Sequence, residues 1–171
     1  MSRLLPLVVV MILGQVVFAQ HSGTATLADV PTSCPVTKPS DHPFVPPPPY
    51  KAKASENTFW FGTDELWTEL PVSGMWWGLP HYTPNDPRFR QKMAWWRIGY
   101  DLHREPYPAL KISGRRLDGL APPLTADVSN AAWDHQQAIM SGFFIPTVGC
   151  WEITGRYHDD VTLTFVIWVA K

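Results

Sequence analysis

An all-β, antiparallel sandwich is the fold that three features of this sequence predict. Short apolar runs alternate with a period of two, Gly and Pro punctuate them at short intervals, and no stretch shows sustained helical periodicity. The clearest run closes the chain. In residues 161–169 the odd positions are Val161, Leu163, Phe165, Ile167 and Val169, against Thr162, Thr164, Val166 and Trp168, so one face is continuously apolar. Residues 149–157 put Trp151, Ile153 and Tyr157 on one parity and Cys150, Glu152, Thr154 and Arg156 on the other, with His158, Asp159 and Asp160 as the polar turn of a hairpin. Two strands do not hold themselves together in water, so upstream segments must cover that face.

The chain opens with Met1, Ser2 and Arg3, followed by an apolar block from Leu4 to Val17 and a Val17-Phe18-Ala19 ending. A short basic start, a block interrupted by Gly14 and Gln15, and a small residue at its end describe a cleavable signal peptide over residues 1–19. The first cysteine, Cys34, lies too far along for lipidation. No second stretch is long enough to span a bilayer, so the mature chain is expected to be secreted or periplasmic without a membrane span. Losing Arg3 takes the formal charge from -1 to -2, which gives no reason to expect a nucleic-acid or anionic-surface partner. About 150 remaining residues suffice for one domain with a core.

The two cysteines, Cys34 and Cys150, form an even count in an exported chain and are expected to be one disulfide. It would tie a Pro-rich arm, residues 20–50, to the start of the terminal hairpin. Pro31, Pro35, Pro39, Pro43 and the run Pro46 to Pro49 make that arm extended and partly polyproline II. The domain then occupies residues 51–171.

Within it, Thr58 to Gly62 reads as a strand. Residues 63–71 are ambiguous, because Thr63 can cap a helical turn while Leu66, Trp67 and Leu70 before Pro71 also suit a strand; a short turn or irregular loop is the expectation. Residues 72–90, with Gly74, Gly78, Pro80, Pro84 and Pro87, read as loop. Residues 91–100 read as a strand with apolar residues on both faces. Leu110 and Ile112 against Lys111 and Ser113 mark a half-buried strand over 109–115, closed by a Gly-rich turn. Val128 and Trp133 are the expected anchors of residues 127–135, and Ile139, Phe143 and Ile145 share one parity of a further strand. Five or six strands result.

The run Phe144-Ile145-Pro146-Thr147-Val148-Gly149-Cys150-Trp151-Glu152-Ile153-Thr154-Gly155 resembles the approach to the penultimate strand of many bacterial immunoglobulin-like domains. Together with the runs 59–64, Trp95-Trp96-Arg97 and 114–119, it is similar to a group of uncharacterised exported bacterial proteins. The resemblance implies an immunoglobulin-like sandwich and an exported location. It departs from antibody domains in lacking the second inter-sheet cysteine, and it brings no catalytic residue with it.

The sequence offers little for catalysis. Its six histidines, His21, His42, His81, His103, His135 and His158, lack metal-ligand spacing, so no metal or cofactor is expected. No nucleophile motif or phosphate loop occurs. Asp64, Glu65, Asp101, Glu105 and Glu152 leave a small carboxylate-dependent hydrolase as the alternative to a binding or structural module.

Tryptophan is the unusual feature, with nine in the chain. In the Trp95-Trp96 pair a strand sends one indole away from the core, and Trp168 lies off the apolar parity of the last strand. Trp76, Trp77, Trp95, Trp96 and Trp168, with Arg97 as a stacking or hydrogen-bonding neighbour, are the candidate binding residues. Three roles compete: cover by the Pro-rich arm and the 72–90 loop, a stacking platform for carbohydrate, or a contact patch for another envelope protein. The scarcity of large exposed apolar patches on monomers favours cover.

Overall fold

The computed structural model describes residues 30–77, 88–132 and 137–171. The proposed signal peptide, Trp133 and most of the 72–90 loop fall outside these residues. The described residues are all-β, in two sheets packed face to face. One sheet contains β1 (Thr58–Thr63), β2 (Leu66–Pro71), β4 (Phe89–Trp96), β8 (Ala138–Ile145) and β6 (Thr125–Ala126) in that spatial order, with the short β7 (Asn130–Ala132) also paired to β8. The other runs β3 (Met75–Trp77), β10 (Val161–Ala170), β9 (Gly149–Tyr157), β5 (Leu110–Arg116). All neighbours are antiparallel except β3 and β10, which are parallel.

The alternation read from the sequence sets the terminal hairpin. Leu163, Phe165, Ile167 and Val169 on β10 and Trp151, Ile153 and Tyr157 on β9 are buried, while Thr162 and Thr164 are exposed. His158 takes φ 49° in the turn. Leu110 and Ile112 face the core from β5, and Ile139, Phe143 and Ile145 face it from β8. Ser141, on the same inward parity, is accommodated because its hydroxyl lies 2.6 Å from that of Ser129, which also donates to the Leu110 carbonyl at 2.8 Å.

Three expectations are corrected. Residues 66–71 form a strand, not a turn: β1 and β2 make a tight hairpin with Thr63 opposite Leu66. Gly62, at φ +134°, lets the chain close there, since a Cβ would sit 2.3 Å from the Leu66 carbonyl oxygen. The strand was obscured because polar and apolar residues mix on both faces, with Leu66, Thr68 and Leu70 inward and Trp67 and Glu69 outward. The strand expected to reach Tyr100 ends at Trp96, ahead of Gly99 at φ 73°. Val128 is 80% exposed and anchors nothing.

Trp95 of β4 packs across the core against Gly155 of β9. Trp95 is fully buried, and its ring atoms lie 2.6 Å from where a Cβ on Gly155 would be. It also packs 6.1 Å from the Phe165 ring. Gly155 is thus the gap in the Trp151, Ile153, Tyr157 series that admits the largest side chain of the opposite sheet. Gly155→Ala forces a methyl into a ring held on all sides, so it should lower the unfolding free energy by about 1–3 kcal/mol. Denaturant titration reads this, and an unchanged midpoint would contradict the packing described.

Candidate functional site

Cys34 and Cys150 are disulfide-bonded, with Cα atoms 5.6 Å apart. From this anchor the arm runs beside β10: the Thr37 amide donates to the Val166 carbonyl at 2.8 Å, and the Val166 amide donates to Thr37 Oγ1 at 2.9 Å. Val36 fills the space over Gly74. Further on, the arm reaches the outer face of the β1-β2-β4-β8 sheet. There Phe44 and Tyr50 pack on Trp67 with ring centroids 5.6 and 4.9 Å away, and Tyr50 donates to the Arg97 carbonyl at 2.9 Å. Trp67 is fully buried under that cover.

The candidate indoles separate. Trp95 belongs to the core and Trp76 to its margin, 5.9 Å from both Phe143 and Phe165. Trp77 is 48% exposed. Trp168 is half-buried on the outer face of the other sheet, directly opposite Cys150 in the β9–β10 ladder. Trp96 points to the outer face, as the pleat requires once Trp95 points inward. Arg97 is removed from these indoles: its guanidinium lies 4.4 Å over the Tyr157 ring.

Among the cavities formed by the described residues, Trp96 lines one, a groove of about 460 Å³ shared with Trp60, Ala94 and Met140 and bordered by Lys51, Lys53, Lys92 and Glu69. Trp60, buried, braces Trp96 edge-to-face at 5.1 Å and 88°. The register explains the convergence: Trp60 lies opposite Glu69, and Ala94 opposite Met140, so strands three chain segments apart expose these side chains together. Trp60 was legible as outward, since Phe59 and Phe61 flank it on the core parity. The lysines of residues 51–53 carry no signal before the arm's path is known.

Asp64, Glu65, Asp101, Glu105 and Glu152 do not meet in any of the cavities described. Glu152 is held by Arg115 at 2.7 Å, and Asp101 by the His103 amide at 2.9 Å and Arg104 at 3.4 Å. Glu105 accepts from the Tyr157 hydroxyl and the Ala109 amide, with its own carbonyl bonded to Tyr100. Neither the groove nor the neighbouring cavities built on Phe44 with Phe59, on Tyr50 with Tyr100, and on Leu110 with Ser129 includes any of these five carboxylates. Among the described residues no three His, Cys, Asp or Glu converge as metal ligands. Arg116 and Asp118, from the Gly-rich turn, are spent on structure: Asp118 Oδ1 accepts from Arg116 Nε at 2.7 Å and from the Cys150 amide at 3.1 Å, and the Arg116 bond holds the Asp118 carboxyl below its usual range.

No family model, curated protein or solved structure matches the chain. No helix of the described residues is long and apolar enough to cross a membrane.

The Glu105 network has a titration consequence. Burial pushes the Tyr100 phenol up to about 12, with Glu105 the largest of the nearby charges that add to it. Tyr157 is raised by burial and then by its bond to Glu105, partly offset by Arg97. A folded-state pKa above the unfolded value means stability that is complete below pH 10.0 and lost as pH rises through about 12. Denaturation at stepped alkaline pH, with ultraviolet tyrosinate absorbance in parallel, should show that loss. Tyr100→Phe should cost about 0.5–1.5 kcal/mol at neutral pH for its missing hydrogen bond yet flatten the alkaline fall.

Proposed function

We propose that this chain is an exported, immunoglobulin-like binding module, and that its ligand lies in the groove floored by Trp96. The observation that carries this reading is the division of one sheet face: the arm buries Trp67 and leaves the neighbouring Trp96 surface as an apolar-floored opening. An indole serving only as an arm support would be covered as Trp67 is. Trp96 is instead braced by Trp60, which keeps a stacking ring in one orientation at little entropic cost. The scatter of the carboxylates makes the hydrolase the weaker alternative.

Two further parts of the proposal have their own support. The strand orders β2-β4-β8-β6 and β3-β10-β9-β5 follow the immunoglobulin pattern A-B-E-D and A′-G-F-C, with the chain changing sheets between β2 and β3 and β3 parallel to the last strand. On that assignment Trp95 over Gly155 takes the place of the B–F disulfide. Export, to the periplasm or the medium, is supported by the composition of residues 1–19 together with the Cys34–Cys150 bond.

Titrating the mature chain with a panel of neutral and acidic oligosaccharides, followed by tryptophan emission, tests the site. At least one ligand should shift the emission, and Trp96→Ala should abolish the response while Trp168→Phe retains it. A response that survives Trp96→Ala in a folded protein would move the ligand elsewhere and overturn the reading.

A further inference from the structure

The border of the Trp96 groove has a charge that its floor does not need. Lys51, Lys53 and Lys92 are all exposed, arrive from two separate segments of the chain, and have no ion-pair or hydrogen-bond partner among the described residues. Glu69 is the one carboxylate on the groove: its Oε1 accepts from the Ser55 amide at 3.1 Å, and its Oε2 lies 3.3 Å from the Thr58 hydroxyl, which also donates to the Ser55 carbonyl at 2.9 Å. Three ammonium groups against one carboxylate leave the groove net positive on a chain whose formal net charge is -1. Overall composition does not account for the cluster, and converging like charges raise the local concentration of an anion.

The floor narrows the class of anion. It is the face of an interior strand: β4 lies between β2 and β8 in the sheet, and the Ala94 carbonyl accepts from Thr68 Oγ1 at 2.7 Å. An acidic peptide lying there would meet no free sheet edge, which is what extended peptides use for affinity when they add to a sheet. What the floor does present is a braced indole, a methyl and a thioether, a flat apolar surface suited to the C–H face of a sugar ring.

We infer that the groove binds carboxylate-bearing sugar rings of an acidic polysaccharide, with Trp96 stacking on the ring and Lys51, Lys53 and Lys92 pairing with the carboxylates. This rests on the groove being the binding site and adds the ligand class. Binding of an oligogalacturonate by the mature chain is compared calorimetrically with that of a neutral oligosaccharide of matched length and a glutamate peptide of matched charge. The oligogalacturonate should bind at least about tenfold more tightly than either. Lys92→Glu and the pair Lys51→Glu, Lys53→Glu should each weaken it roughly tenfold, as should a shift from low to high salt. The lysines are exposed, so these variants should melt like the parent.

A neutral sugar that binds equally well through Trp96 overturns the acidic class and leaves the groove reading standing. A glutamate peptide that binds equally well overturns the sugar. Acidic-sugar binding insensitive to all three lysines but lost in Trp96→Ala overturns the charge pairing, and no saccharide binding at all overturns the inference outright.

Discussion

Neighbouring side chains on a strand point to opposite faces, and in this protein that rule acts on two adjacent tryptophans. Trp95 fills the place between the sheets that Gly155 leaves open. Truncating a buried indole of this kind costs about 3–5 kcal/mol, a large part of the stability of any domain this size. Placing Trp95 inside puts Trp96 outside, whatever the rest of the chain does. The same pleat turns Trp60 and Trp67 outward on β1 and β2, so the sheet acquires an aromatic outer surface as a consequence of how its core is built.

The arm answers part of that consequence. Aromatic contacts such as those of Phe44 and Tyr50 on Trp67 contribute about 0.5–1.5 kcal/mol each beyond their buried area. A cross-link closing a loop of 116 residues contributes roughly 4–5 kcal/mol on chain-entropy grounds. The tether therefore outweighs any single contact in keeping the arm down, and proline reduces the freedom the arm must lose. Cover ends where the arm passes from Tyr50 into Lys51, and there the face opens into the groove. The arm thus hides one indole, and the residues that follow it supply two of the cations beside the next.

Local pattern carried most of the fold. The parities of β5, β8, β9 and β10 were readable because each has one wet face or one uninterrupted apolar series, and the disulfide was readable from the cysteine count. β2 was not, because Trp67 lies beside Glu69 on its outer face while Thr68 lies on its inner one, and only the arm's position accounts for a buried Trp67 there. The short β3, β6 and β7 carry too few residues for a period to register. For the site, Trp96 followed from the pair it belongs to. Trp168 was marked by its parity, Trp77 by its pair and Arg97 as a neighbour, but parity does not say which sheet a strand joins, and the fold puts the three in different places. Lys51 and Lys53 joined the site through the arm's path, a long-range property with no local signature.

The central claim is that one sheet face is divided into a covered indole, Trp67, and an accessible one, Trp96. Residue-resolved NMR of the tryptophan side chains, with a soluble paramagnetic chelate added to the oxidised mature protein, tests it directly. The account predicts strong broadening of Trp96 signals and little for Trp67 and Trp95. Equal broadening of Trp67 and Trp96, or protection of both, would contradict it.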